Sequence, residues 1–333
     1  MKHLLLLLLP LLLYLPTKAQ IKKPEEFGYR HLQTRYKQDT VDILVMSKKG
    51  EEQQVKPIFL FIQGSLPTPL IILKENGEPY KIFPFDADLL LDDYHLAIVS
   101  KPFIPVIREE SSLRPNMSYV EVHSGTFPEN YVLRDNLDYY TYRNKAVVKY
   151  LVKQPWVCDK KIVVAGHSEG AAIAAKLAQV SKDITHLIFA STNPFGRMAT
   201  IVSQIRQRDD TAGTAVKRQL TFWKEVVEDP ANNEVKGEIT FKSLYSFSKP
   251  PVAALQKLKM PVMVSYGTKD IAAPFYDYFH IEAIRAKKKN FTFMPYVGRE
   301  HNFFGFDENG KVNYEDFGWD KVALDWKKWL ERN

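Results

Sequence analysis

A single cysteine, Cys158, stands in a chain of 333 residues. It has no intrachain partner, so no disulfide framework holds the fold and stability must come from a packed core. One cysteine also excludes a Cys-rich zinc site. With scattered histidines and no H-E-x-x-H string, the sequence offers no metal site and no cofactor motif. The positive charge, formally +7, is diffuse and forms no basic block. No nucleic-acid-reading motif accompanies it, which argues against a nucleic-acid partner. Internal repeats are absent. The one long apolar run, Leu4–Leu15, is too short to span a bilayer comfortably, and Pro10 interrupts it.

What is present is enough to fold. Hydrophobic residues make up 45% of the chain and aromatics 13%, sufficient for a sizeable core in one large domain or two ordinary ones. Lys2 and His3, the run Leu4–Leu15, and then Thr17-Lys18-Ala19 before Gln20 have the layout of a secretory signal peptide. We therefore expect residues 1–19 to be a leader and residues 20–333 a single secreted or periplasmic domain. No stable membrane insertion should remain after cleavage. An uncleaved anchor is the alternative; lipid attachment is excluded because no cysteine follows the run.

Periodicity predicts alternating strands and helices. Val41–Met46, Pro57–Ile62, His95–Val99, Ile162–Ala165, His186–Ala190, Pro261–Ser265 and Phe291–Tyr296 read as compact apolar strands. Leu137 to Leu151 has helical spacing that ends before Pro155, and Ala171–Ala178 is helical by propensity. Trp319, Val322, Ala323, Trp326, Trp329 and Leu330 form the apolar stripe of a closing helix. The pattern predicts an α/β fold with a mainly parallel, doubly wound sheet. Two stretches do not fit simple crossovers. Residues 193–258 contain helical pieces near Met198–Arg206, Ala215–Val227 and Pro251–Leu258, and read as a small helical cap inserted between strands. The long polar loop Lys101–Arg134 is expected to shape the rim. Cys158, next to Trp156 and Val157, is expected to be a buried apolar thiol.

Gly166-His167-Ser168-Glu169-Gly170 lies between the strand Ile162–Ala165 and the alanine-rich helix. A G-x-S-x-G string at a strand-to-helix turn exposes the serine hydroxyl on a strained backbone. Here the chain resembles the α/β-hydrolase fold serine hydrolases, from about Val41 to the last helix, including the catalytic domain of prolyl oligopeptidase-type enzymes. That resemblance implies a base and an orienting acid in the order Ser, Asp, His. Asp270, after Pro261–Ser265, matches the acid, and His301, after Phe291–Tyr296, matches the base. Asp270 also suits a helix cap, with Glu300 then the spare acid. His301 also suits a plain loop residue. His167 is disfavoured as the base by its direction from the nucleophile. Thr192-Asn193-Pro194, where some members carry the acid, holds no carboxylate. The resemblance further implies oxyanion donors at the N–H groups of Glu169 and Ser65, although Gln63-Gly64 replaces the more usual His-Gly.

The expected activity is hydrolysis of a small-molecule carboxylic ester through Ser168, Asp270 and His301 and an acyl-enzyme. A small serine aminopeptidase acting on a short peptide, and a non-catalytic binding protein on the same fold, are the alternatives.

Overall fold

The computed structural model describes residues 22–209, 211–235 and 237–333. The expected leader, residues 1–19, lies outside the described residues. Twelve strands form among the described residues: β1 (Arg30–Tyr36), β2 (Asp39–Met46), β3 (Lys56–Ile62), β4 (Ile71–Leu73), β5 (His95–Val99), β6 (Ile107–Glu109), β7 (Val157–His167), β8 (His186–Ala190), β9 (Val262–Gly267), β10 (Phe291–Tyr296), β11 (Phe304–Phe306) and β12 (Val312–Phe317). β4 pairs with β6 and β11 with β12 as separate ribbons; the other eight make one sheet in the order β1-β2-β5-β3-β7-β8-β9-β10. β2 runs against both its neighbours, and every other pair is parallel.

The apolar strands predict this sheet because both of its faces are covered. On β3, Ile58, Leu60 and Ile62 enter one core while Phe59 and Phe61 enter the other, the alternation a strand imposes. Helices α3 (Leu137–Leu151), α4 (Glu169–Val180) and α9 (Ala273–Arg285) supply the first core. The short α1 (Asp88–Leu91) and the closing α10 (Trp319–Arg332) supply the second. Trp326 of α10 is fully buried, stacks on Phe59 at 6.3 Å, and donates its indole N–H to Ser265 Oγ at 3.0 Å.

Three features differ from the sequence expectations. β1 was not anticipated; its sequence RHLQTRY is polar and only half-buried because it is an edge strand, joined to β2 across Lys37-Gln38 with Lys37 at φ 55°. The β11–β12 ribbon between β10 and α10 was also unforeseen, since its residues are mostly exposed and carry no apolar alternation. Cys158 is half-buried near the start of β7, not enclosed in the core.

Between β8 and β9 the chain forms α5 (Arg197–Asp209), α6 (Thr214–Glu228), α7 (Phe241–Phe247) and α8 (Val252–Leu255). Met198, Val226, Phe241 and Leu244 give these helices a small core of their own. The loop after β5 contains α2 (Glu129–Arg134), and its Arg114 grips the Glu238 carboxylate of the helical segment with both terminal nitrogens, at 3.0 and 2.6 Å. No helix among the described residues is long and apolar enough to cross a membrane.

Trp326→Ala removes the largest side chain common to these aromatic contacts and strands the Ser265 hydroxyl. It should lower unfolding free energy by about 3–5 kcal/mol, read from urea denaturation; a loss under about 1 kcal/mol would show that the second core does not depend on it.

Candidate active site

β7 ends at His167 and α4 begins at Glu169, so Ser168 alone makes the turn. It takes φ 55° and ψ −129°, a conformation that side chains other than glycine's rarely adopt. Two glycines allow it. A Cβ on Gly166 would meet the Gly170 carbonyl oxygen at 2.2 Å, and one on Gly170 would meet that of Ile62 at 2.0 Å. Ser168 N–H donates to Ala190 O at 3.0 Å, tying the turn to the end of β8.

Parallel strands deliver their carboxyl ends to one edge, and the structure brings the three predicted residues together there. His301 Nδ1 donates to Asp270 Oδ2 at 2.8 Å, and Ser168 Oγ donates to His301 Nε2 at 3.0 Å. Asp270 is 5% exposed, and its other oxygen accepts the N–H of Ala272 at 2.9 Å. It therefore holds His301 and closes the turn ahead of α9, whose N-cap is Ala272 and not Asp270 itself. Glu300, the spare acid, instead accepts the N–H groups of Asn302 and Phe304 and closes the loop that carries His301.

Desolvation works against the charge on Asp270, but the His301 hydrogen bond and charge outweigh it and hold the carboxyl below its usual range. The same bond, against desolvation, raises His301 above the ordinary histidine value of 6.5. His167 lies beneath them. Burial, then His301, pushes its pKa down to about 3, so it stays neutral and donates Nε2–H to the His301 carbonyl at 2.9 Å. It packs on Trp319 and Phe303. His167 thus supports the loop that carries His301.

The loop after β3 lies beside Ser168, and Ser65 lines the same cavities. A Cβ on Gly64 would sit 3.7 Å from Ser168 Cβ, and the Tyr131 hydroxyl holds the Ser65 carbonyl at 2.9 Å. Gln63, in place of histidine, turns to the Val99 carbonyl at 3.1 Å. Glu169 starts α4, and its side chain is enclosed between Lys101 at 3.2 Å and Arg197. Burial would raise the Glu169 pKa, yet Lys101 and then Arg197 hold it below its ordinary value. Sequence reasoning missed Lys101 and Arg197, which lie 68 residues before and 28 after the carboxylate they share. The one available signal was a lysine two residues after the mainly apolar β5.

Ser168 divides two cavities. One, of about 360 Å³, extends under α5 and is lined by Asn193, Arg197, Thr200 and Gln204 as well as Asp270. The other, of about 650 Å³, runs past Leu66 and Pro84 to Phe304, Phe317 and Trp319. Ser65 and His301 border both. Among the described residues no cluster of three or more His, Cys, Asp or Glu is arranged to hold a metal ion.

The backbone is similar to that of acylaminoacyl peptidase from Pyrococcus horikoshii, with a TM-score of 0.56 and 14% identity over 91% of this chain. The chain spans 41% of the length of that peptidase. Est1E from Butyrivibrio proteoclasticus matches at TM-score 0.51 and 13% identity, over 91% of this chain and 98% of Est1E. The α/β hydrolase GrgF from Penicillium sp. sh18 matches at 0.54 and 12%, over 91% of this chain and 96% of GrgF. The chain has the α/β-hydrolase fold. No protein-family model and no curated protein sequence matches it. In this α/β-hydrolase fold the likeness to solved structures establishes the backbone alone, and the chemistry rests on the side-chain geometry.

Only neutral His301 can accept the Ser168 proton, and its pKa is raised. The rate of Ser168 labelling by a fluorophosphonate should therefore fall as pH drops through a value above 6.5. In Asp270→Asn the limb should move to lower pH. A wild-type limb well below 6.5 would contradict this electrostatic account.

Proposed function

We propose that the protein is a serine hydrolase that cleaves carboxylic esters through an acyl-enzyme. The observation that carries this reading is the in-line pair of hydrogen bonds from Ser168 to His301 to Asp270 at the carboxyl edge of the sheet. Ser168 Oγ attacks the acyl carbonyl while His301 Nε2 takes its proton, and Asp270 keeps Nδ1 protonated and stabilises the imidazolium. The N–H groups of Ser65 and Glu169 receive the oxyanion; the latter stands at the N-terminus of α4, where the helix dipole adds to the attraction. His301 then returns its proton to the leaving alkoxide, and water repeats the sequence in reverse to free the acid.

The aromatic cavity supports an aryl or medium-chain ester. Helices α5–α8, which border the 360 Å³ cavity, are proposed as the cap, and the amino-terminal pattern supports export as the setting.

A peptidase reading draws on the backbone likeness to acylaminoacyl peptidase. An aminopeptidase of this layout needs a free carboxylate for the substrate ammonium. The carboxylate nearest to hand, Glu169, is already shared by Lys101 and Arg197. Esters are therefore placed first.

Ser168→Ala should abolish both fluorophosphonate labelling and 4-nitrophenyl ester turnover while leaving the circular dichroism spectrum unchanged. Asp270→Asn should cost about 10³–10⁴-fold in kcat. Persistent turnover in Ser168→Ala would overturn the mechanism, faster release from aminoacyl 4-nitroanilides than from esters would reverse the substrate order, and no labelling of folded wild type would favour a binding protein.

A further inference from the structure

The cavity under α5 carries more hydrogen-bonding capacity than the hydrolytic chemistry uses. Arg197, Thr200 and Gln204 recur at helical spacing and present one polar face of α5 to the space beside Ser168. The Arg197 side chain is 23% exposed there, and its guanidinium lies 4.5 Å from the Phe247 ring centroid, which fixes its plane. One of its nitrogens is bound to Glu169 Oε2. That carboxylate is not Arg197's alone, because the other oxygen accepts from buried Lys101.

Two cations thus share one carboxylate. The remaining acid nearby, Asp135, has its pKa raised by desolvation and then by the Glu169 charge, and it does not line the cavity. Asp270, which also borders the cavity, is committed to His301. Asn193 supplies an independent observation. It is 3% exposed and lines the same cavity, its Oδ1 accepts from Phe195 N, and its Nδ2 has no partner among the described residues. A buried amide donor left unmade costs about 1–3 kcal/mol, so the wall that Asn193 shares with Arg197 holds a donor still to be satisfied.

We infer that the wall formed by Arg197 and Asn193 is a carboxylate-binding subsite, so that the substrate is an ester bearing an anionic carboxylate on the α5 side of its scissile bond and an apolar group on the Phe304–Trp319 side. Arginine presents paired donors in the plane a carboxylate requires. The two cavities meeting at Ser168 differ in the same sense, one polar with Arg197 in its wall, the other aromatic. The inference rests on the serine-hydrolase reading above and specifies the substrate for that site.

The test compares anionic with neutral esters on both sides of the bond. On the acyl side, the mono-4-nitrophenyl esters of succinate, glutarate and adipate are set against neutral 4-nitrophenyl esters of equal length. On the alcohol side, 4-acetoxybenzoate is set against 4-methylphenyl acetate. In one of the two series wild-type kcat/KM should favour the anionic ester about tenfold or more, as a charge-assisted pair allows. Rising salt should reduce that ratio, and Arg197→Gln should lower it about tenfold or more, whatever becomes of the absolute rates. Glutarate should also slow fluorophosphonate labelling of the wild type more than that of the variant, each relative to its own uninhibited rate. The wild-type ratio needs no variant to fold. Normal labelling with no anionic preference in either series, or a preference that Arg197→Gln leaves intact, would overturn the subsite while leaving the hydrolase reading standing. A wild type that does not label at all would remove the reading on which it rests.

Discussion

The turn at Ser168 is the constraint to which the rest of the site is fitted. A residue with a side chain held at φ 55° and ψ −129° costs on the order of 1–3 kcal/mol. Such a conformation persists only where the surroundings leave no alternative. Here the backbone of β3 presses on Gly170, the start of α4 presses on Gly166, and the end of β8 takes the Ser168 N–H. The strain has a chemical consequence: the hydroxyl is lifted off the sheet toward His301, and α4 starts one residue later with its N-terminal end turned to the same space.

Around that turn three electrostatic arrangements are kept distinct by packing. His167 is buried on aromatic rings and neutral, so it can sit against His301 without competing for the Ser168 proton. Asp270 is nearly enclosed and accepts both a backbone N–H and the His301 Nδ1–H, which fixes the imidazole tautomer. Glu169, adjacent in sequence to the nucleophile, is neutralised from two sides. A buried carboxylate is tolerable only with such partners, and those partners come from the loop after β5 and from the first residue of α5. The charge network that stabilises the turn thus also reaches the helical segment above the site.

Much of this was legible in the sequence. Seven of the eight strands of the sheet read directly as apolar runs; in β3, β5, β8 and β9 this is because a parallel strand covered on both faces has nothing polar to alternate with. The exception, β1, is an edge strand whose two faces are only half-buried, so hydrophobic periodicity carries no signal there. α7 was not among the helical pieces expected in residues 193–258; seven residues are too few for a helical period to declare itself. Ser168, Asp270 and His301 could be picked out because each lies within five residues after a recognisable strand, and the carboxyl ends of parallel strands share one sheet edge.

What the sequence by itself determined is the local part: the alternation of strands and helices, the glycines that permit the turn, and the loops at one sheet edge where chemistry can gather. Those follow from short-range sterics and side-chain periodicity, which act within a few residues. Only the tertiary structure decided the rest. Asp270 both closes the turn before α9 and holds His301 because two hydrogen-bond donors, 2 and 31 residues away, reach its two oxygens. Glu169 is bound, not free, and Arg197 and Asn193 face the cavity, because distant segments pack against one another over the sheet. Coulomb and hydrogen-bond energies depend on separation in space, and no pattern along the chain encodes that separation.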